Sequence, residues 1–322
     1  MKSQLLKLAV IAVLGTSGQA FATGLVSLPA AGLSVSAGTN QPAGTTAWVT
    51  CNATGNYGAG SFTAPTTGAN NNCAVFPANI NTSPVSGFSK VTLSDLTNVA
   101  ITANGENIAY MTSRTFRNTA NTECIYGKQI SMDTSTTFDY NSSLAGQQYL
   151  EVNDFAFGGF SATTDVSAGY YYRSGVSDSA VYRVGRAFTS VQMQADPSDE
   201  TLVATGFVHR PINSPSVPAS GTEINGVGQT SSPGATAPTA AQQTSEIRTN
   251  WVDFTVDVTG GVDEDGGTEQ DAPMMYVRAA CTSTAPASLA NSVRIRQTGQ
   301  ETQPWVTILA SGLARSGANA NF

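Results

Sequence analysis

Charge is scarce in this chain of 322 residues: Asp, Glu, Lys and Arg together make up 11%, where about a quarter is usual. That scarcity excludes coiled coils, charge-laced helical bundles and charge-driven disorder. Lysine occurs only at Lys2, Lys7, Lys90 and Lys128, and the arginines are scattered. No basic stripe exists to neutralise phosphates, and the net charge is −7, so nucleic acid is excluded as a partner. Histidine occurs once, at His209, which leaves a Ser-His-Asp or Cys-His mechanism a single residue to use. G-x-S-x-G, H-E-x-x-H, Walker and G-x-G-x-x-G patterns are all missing, so no catalytic residue is assigned and the chain reads as a non-enzyme. A carboxylate-pair hydrolase needs only two acids that converge in space, and Asp139, Glu151 and Asp154 are the nearest candidates.

What the chain has in abundance is Ser and Thr, 73 together, and 31 Gly. This is a strand-and-turn vocabulary, and a hydrophobic fraction of 40% can fill a core. Two lysines, the apolar run Leu8 to Leu14 and Ala20-Phe21-Ala22 have the order of a secretory signal peptide, with cleavage after Ala22. Seven apolar residues are too few to span a bilayer. The mature chain would then keep 13 basic and 22 acidic residues, a net charge of −9. An exported protein is expected, at the cell surface, outside the cell or in the periplasm, with no transmembrane anchor.

Short strand-like segments recur between Gly, Asn, Asp, Ser and Pro: 47–51, 73–76, 88–93, 108–112, 124–130, 136–140, 149–160, 169–173, 180–184, 187–194, 201–210, 251–258, 274–281, 292–297 and 305–310. Trp251 to Val258 alternates most clearly, with Val252, Phe254, Val256 and Val258 toward a core and Trp251, Asp253, Thr255 and Asp257 toward solvent. In Phe155 to Phe160 the glycine pair predicts core with a bulge. The fold class is therefore all-β, an antiparallel β-sandwich in one large or two smaller units. Residues 23–210 form the main domain, 211–250 a loop or linker without aromatics, and 251–322 a C-terminal β segment packed on the main domain. A terminal Phe322 raises an outer-membrane barrel, but the tail before it is small and polar.

All four cysteines lie in the exported part, where disulfides form. The pairing expected is Cys51 with Cys73, closing a polar loop, and Cys124 with Cys281, joining distant segments. Three further groups are candidate sites. Asp263, Asp265, Glu269 and Asp271 alternate on a glycine-rich loop and offer the oxygen ligands Ca²⁺ takes, although the spacing is not that of an EF-hand. Tyr170, Tyr171, Tyr172 and Arg173, with Tyr182, Arg183 and Arg186, concentrate rings and guanidinium groups of the kind that bind sugar faces; cross-strand pairing within a sheet accounts for them equally. Val26, Leu28 and Ala30 alternate in an uncharged N-terminal segment that can add to another subunit's sheet.

The function expected is structural: adhesion, extracellular matrix or filament assembly, with partners among copies of itself or other surface subunits. The alternative is a secreted carbohydrate-binding or carbohydrate-active protein that uses carboxylates and surface tyrosines on glycans.

Overall fold

The computed structural model describes residues 24–35, 44–51, 64–69, 71–140, 142, 145–160, 165–173, 180–187, 247–261, 269–298 and 305–321. The signal-like segment 1–22, His209, Asp263, Asp265 and residues 211–246 lie outside them, as do most of the strands expected at 187–194 and 201–210. Strands are numbered in chain order. The first six are β1 (Val26–Pro29), β2 (Leu33–Val35), β3 (Gly44–Thr46), β4 (Trp48–Thr50), β5 (Ala74–Val75) and β6 (Phe88–Lys90). Next come β7 (Leu96–Ala103), β8 (Glu106–Asn118), β9 (Glu123–Met132), β10 (Glu151–Gly158), β11 (Asp165–Tyr171) and β12 (Arg183–Gly185). The last four are β13 (Trp251–Thr259), β14 (Met274–Ala280), β15 (Ala287–Thr298) and β16 (Trp305–Ala314).

The fold is all-β, with two open antiparallel sheets packed together. One sheet runs β1-β11-β14-β9-β8-β6, with β5 also on β11 and β7 also on β8. The long strands β8 and β11 each hold two short neighbours end to end. Residues 116–118 of β8 pair with β6 and 106–113 with β7; residues 165–168 of β11 pair with β1 and 170–171 with β5, the one parallel contact. The other sheet runs β16-β15-β10-β13-β12-β4, and β2 with β3 makes a separate hairpin. Among the described residues no helix is long and apolar enough to cross a membrane.

Strand alternation places Tyr126, Ile130, Val166, Ala168, Met275 and Val277 of the first sheet in one buried cluster with Phe155, Phe157, Val252, Phe254, Val293 and Ile295 of the second. A smaller cluster, Val75, Phe116, Ile125, Met274 and Tyr276, covers the far face of the first sheet, where Ile80, Val85 and Phe88 pack on it. Strands before and after 211–246 interleave: β13 lies between β10 and β12, and β14 between β11 and β9. β12 and β13 are direct antiparallel neighbours, with Val184 opposite Phe254, so the described strands on either side of residues 188–246 belong to one sheet.

Four sequence expectations are corrected. Residues 136–140 are loop, with Phe138 turned into the core and Tyr140 packed at its margin. Leu96–Ala103 is a strand, β7, although its apolar residues do not alternate strictly and bulges interrupt its register. Its signal is Asn104-Gly105, both at positive φ, the two-residue turn that closes hairpins. Gly159, at φ 110°, ends β10 rather than forming a bulge; the irregularity sits at Val152/Asp154 instead. Trp251, Asp253 and Thr255 are as buried as Val252 and Phe254, because β13 is an inner strand and both of its faces are covered.

Both disulfides pair as expected. Cys51–Cys73 runs from the end of β4 to the start of β5, tying one sheet to the other, with Cα atoms 4.9 Å apart. Cys124–Cys281 clamps β9 to the end of its neighbour β14, with Cα atoms 5.6 Å apart across 157 residues of sequence.

Candidate functional site

The distribution of charge over the sheets is the reverse of what protects a monomer. Each inner strand carries at least one charged residue: Arg114 on β8, Lys128 on β9, Asp154 on β10, Asp165 on β11, Arg183 on β12, Asp253 on β13, Arg278 on β14 and Arg296 on β15. Of the strands at the sheet ends, β1, β4, β5, β7 and β16 carry none. Only β6 does, through Lys90, whose amine is 2.6 Å from Asp95. Soluble proteins usually place charge, proline or bulges on edge strands to prevent their unpaired N–H and C=O groups from recruiting another chain; here β1 ends in Pro29 and bulges interrupt the registers of β7 and of β16 with β15, and it is the charge that is missing. The large apolar side chains left exposed among the described residues lie on or beside these edges: Val99 on β7, Leu309 on β16, and Leu93 in the single turn Thr92–Ser94 between β6 and β7.

The N-terminal segment singled out for assembly is one of these edges. Val26 pairs with Ala168 and Leu28 with Val166 in a four-residue ladder. Leu28 is buried in the core, Val26 packs at its margin, and Ala30 lies beyond the strand in a turn.

The tyrosines do not form a platform. Because β11 is an inner strand covered on both faces, Tyr170 turns into the main core and Tyr171 into the smaller cluster, while Tyr172 packs against the main core and Arg173 is half-buried. A surface role for Tyr170 is thereby overturned. Burial also pushes the Tyr170 and Tyr182 hydroxyls well above the ordinary phenol range. Arg186 is buried and donates to the carbonyls of Thr249 and Leu28.

Of the four acids considered for calcium, Glu269 and Asp271 are described. The Glu269 carbonyl accepts the Thr259 N–H at 2.8 Å, and Asp271 makes a bridge to Ser131. Among the described residues no three His, Cys, Asp or Glu side chains converge on a metal position.

Two buried charged groupings were not expected from the sequence, although Asp154 and Asp253 were named there in other roles. Arg296 sits between two carboxylates, with Nε 2.5 Å from Asp154 and Nη2 2.6 Å from Asp253, all three fully buried. The register explains the meeting: Asp154 is opposite Arg296, and Asp253 is opposite Ala156, one strand away on the same face. Burial raises the Asp154 carboxyl while the Arg296 charge pulls it back down. Asp154 is thus committed to Arg296 and closed to solvent, and Glu151 is buried beside Asn153, which donates to it at 3.3 Å. The second group is Lys128, whose amine stands 4.9 Å from the ring centre of Phe157 and 6.0 Å from that of Tyr126. Burial pushes it down to about 7. A charged residue interrupting apolar alternation, as in Val293-Arg294-Ile295-Arg296, was the available signal.

No family model, no curated protein and no solved structure matches this chain.

Proposed function

We propose that this is an exported structural protein that assembles through its sheet edges, at the cell surface or in an extracellular matrix or filament, without catalysis. The observation that carries the reading is the uncharged state of β1, β4, β5, β7 and β16 beside inner strands that are all charged. In water, an edge without charge is free to gain a strand from a neighbour, and main-chain hydrogen bonds then supply affinity while alternate side chains supply register. β1 is the segment best suited to exchange between copies, since it is four residues long and inserts a single fully buried anchor, Leu28. The Cys51–Cys73 bridge keeps the two layers joined if that strand leaves, and Cys124–Cys281 holds β14 to β9 within one of them.

The test is electron microscopy of the purified mature protein and of material sheared from producing cells, alongside an unboiled denaturing gel. Ordered fibres or detergent-resistant ladders are expected. Uniform monomers at all concentrations would overturn the reading and turn attention to glycans.

A further inference from the structure

One corner of the sandwich gathers positive charge with no acid to match it. On the inner face of the first sheet, Thr115 is opposite Tyr126 and Arg117 opposite Cys124, so the Tyr126 and Arg117 side chains are diagonal neighbours. Arg117 is held there by donating to the carbonyls of Ser283 and Thr284, at 2.9 and 2.8 Å, just past the Cys124–Cys281 bridge. From the second sheet, Phe160 meets the Tyr126 ring edge-on, with centroids 6.3 Å apart. The end of β16 closes over the same place: a Cβ on Gly159 would stand 3.1 Å from that of Ala314, and Arg315 follows directly.

Beyond the two Arg117 bonds, three buried polar atoms here are unpartnered among the described residues. The Tyr126 hydroxyl is buried without a hydrogen-bond partner, in a residue 2% exposed, and the same holds for Nε of Arg117 and Nε of Arg315. Among the described residues no carboxylate lies within ion-pair distance of either arginine. Both charges nonetheless reach the phenol, which burial drives up to about 12 while Arg315 and Arg117 draw it back. Buried donors are satisfied in native proteins, and each one left unmade is unfavourable. Two guanidinium groups and a phenol converging without an acid supply donors and no competing acceptor.

We infer that Tyr126, Arg117 and Arg315 form a binding site for an oxyanion, a sulfate, phosphate or carboxylate group, at this end of the sandwich. Arg117 and Arg315 are half-buried, and although both Nε atoms and the phenol are sealed, the Arg315 Nη atoms are not among the sealed ones, so an ion enters along Arg315. In a chain of net charge −7, anions are repelled in general and binding reports this corner. The group is either a free ion or one carried on an acidic polysaccharide.

The experiment is calorimetric titration of the mature protein with sodium sulfate, phosphate and acetate, and separately with dextran sulfate, at constant ionic strength set by chloride. Arg315→Gln is the principal variant, because Arg315 makes no side-chain hydrogen bond among the described residues; Tyr126→Phe removes the hydroxyl alone. Saturable binding of at least one ion below about 10 mM is expected, weakened about tenfold or more by either change. Binding of dextran sulfate only, lost in Arg315→Gln, supports the same site with a polymer as the source. Binding that fails to saturate with every probe, or that Arg315→Gln and Tyr126→Phe leave unchanged, overturns the inference.

Discussion

Cys51 closes a strand of the six-stranded sheet and Cys73 opens one of the eight-stranded sheet, so the bond between them joins the two layers of the sandwich directly. Two main-chain contacts hold its ends: the Cys51 N–H donates to Tyr182 at 2.8 Å, and the Cys73 carbonyl accepts from Tyr170 at 3.0 Å. Removing the bridge by Cys51→Ala with Cys73→Ala is expected to cost about 3 kcal/mol, from closure of the short loop in the chain-entropy account. The Cys124–Cys281 pair encloses 157 residues and is expected to cost more, about 5 kcal/mol. Urea unfolding of the two double variants checks the order.

Gly169 approaches the same bridge. A Cβ there would stand 2.5 Å from the carbonyl oxygen of Cys73, a backbone atom held by the Tyr170 N–H and by the disulfide. Gly169→Ala is expected to destabilise by on the order of 1–3 kcal/mol, as overpacking against a fixed neighbour does. Gly127→Ala also overpacks, at 2.9 Å from both the Met274 Sδ and the buried Tyr276 ring, but against side chains rather than a fixed backbone atom, and is expected to cost less. Thermal melts of both variants decide the comparison.

Lys128 makes stability depend on pH. Its amine, fully buried against Phe157, is pushed down to about 7 from the ordinary 10.5. Between those values the unfolded chain binds more protons than the folded one, so stability rises with pH through that window, on the order of 1 kcal/mol per unit. Below about 7 both states are protonated and the penalty levels off. Lys128→Met is expected to raise stability at pH 6 and to flatten the slope from pH 7 to 10, read from urea midpoints.

Arg296 neutralises Asp154 and Asp253 where no water reaches them. Arg296→Met leaves two buried carboxylates without that cation and is expected to cost about 3–5 kcal/mol. Asp154→Asn leaves the Asp253 pair in place and is expected to cost less. Equal losses in the two variants would show that Arg296 is not the shared partner of both acids.

Charge placed on the edges should separate assembly from folding. Leu309 on β16 and Val99 on β7 are 44% and 40% exposed, so Leu309→Lys and Val99→Lys are expected to change stability by no more than about 0.5 kcal/mol. If strands add at these edges, the charged variants sediment as monomers under conditions where the parent assembles. Parent-like assembly in both variants would exclude β7 and β16 and leave β1, β4 and β5.

Much of the architecture was legible in the residues themselves. The strand read at 251–258 and the cysteine pairing appear in the structure, the strand one residue longer and with the face read as solvent-exposed mostly buried. What misled were positions whose meaning depends on neighbours far along the chain. Thr136 to Tyr140 has strand-like residues but no strand beside it to complete a ladder. Tyr170, read as part of a ligand surface, turns into the core between the two sheets, and Asp253, read as solvent-facing, is buried with Arg296 and Asp154.

The sequence by itself determined the period of each strand, the turns between them and the scarcity of charge, since these are local consequences of side-chain size, branching and polarity. Only the tertiary structure decided which strands became edges, that the charged residues fell on inner strands, and that Arg117, Tyr126 and Arg315 share one corner. Alternation along a strand tells which residues share a face. What that face meets is set by pairings between segments as far apart as Cys124 and Cys281, and no local pattern encodes them.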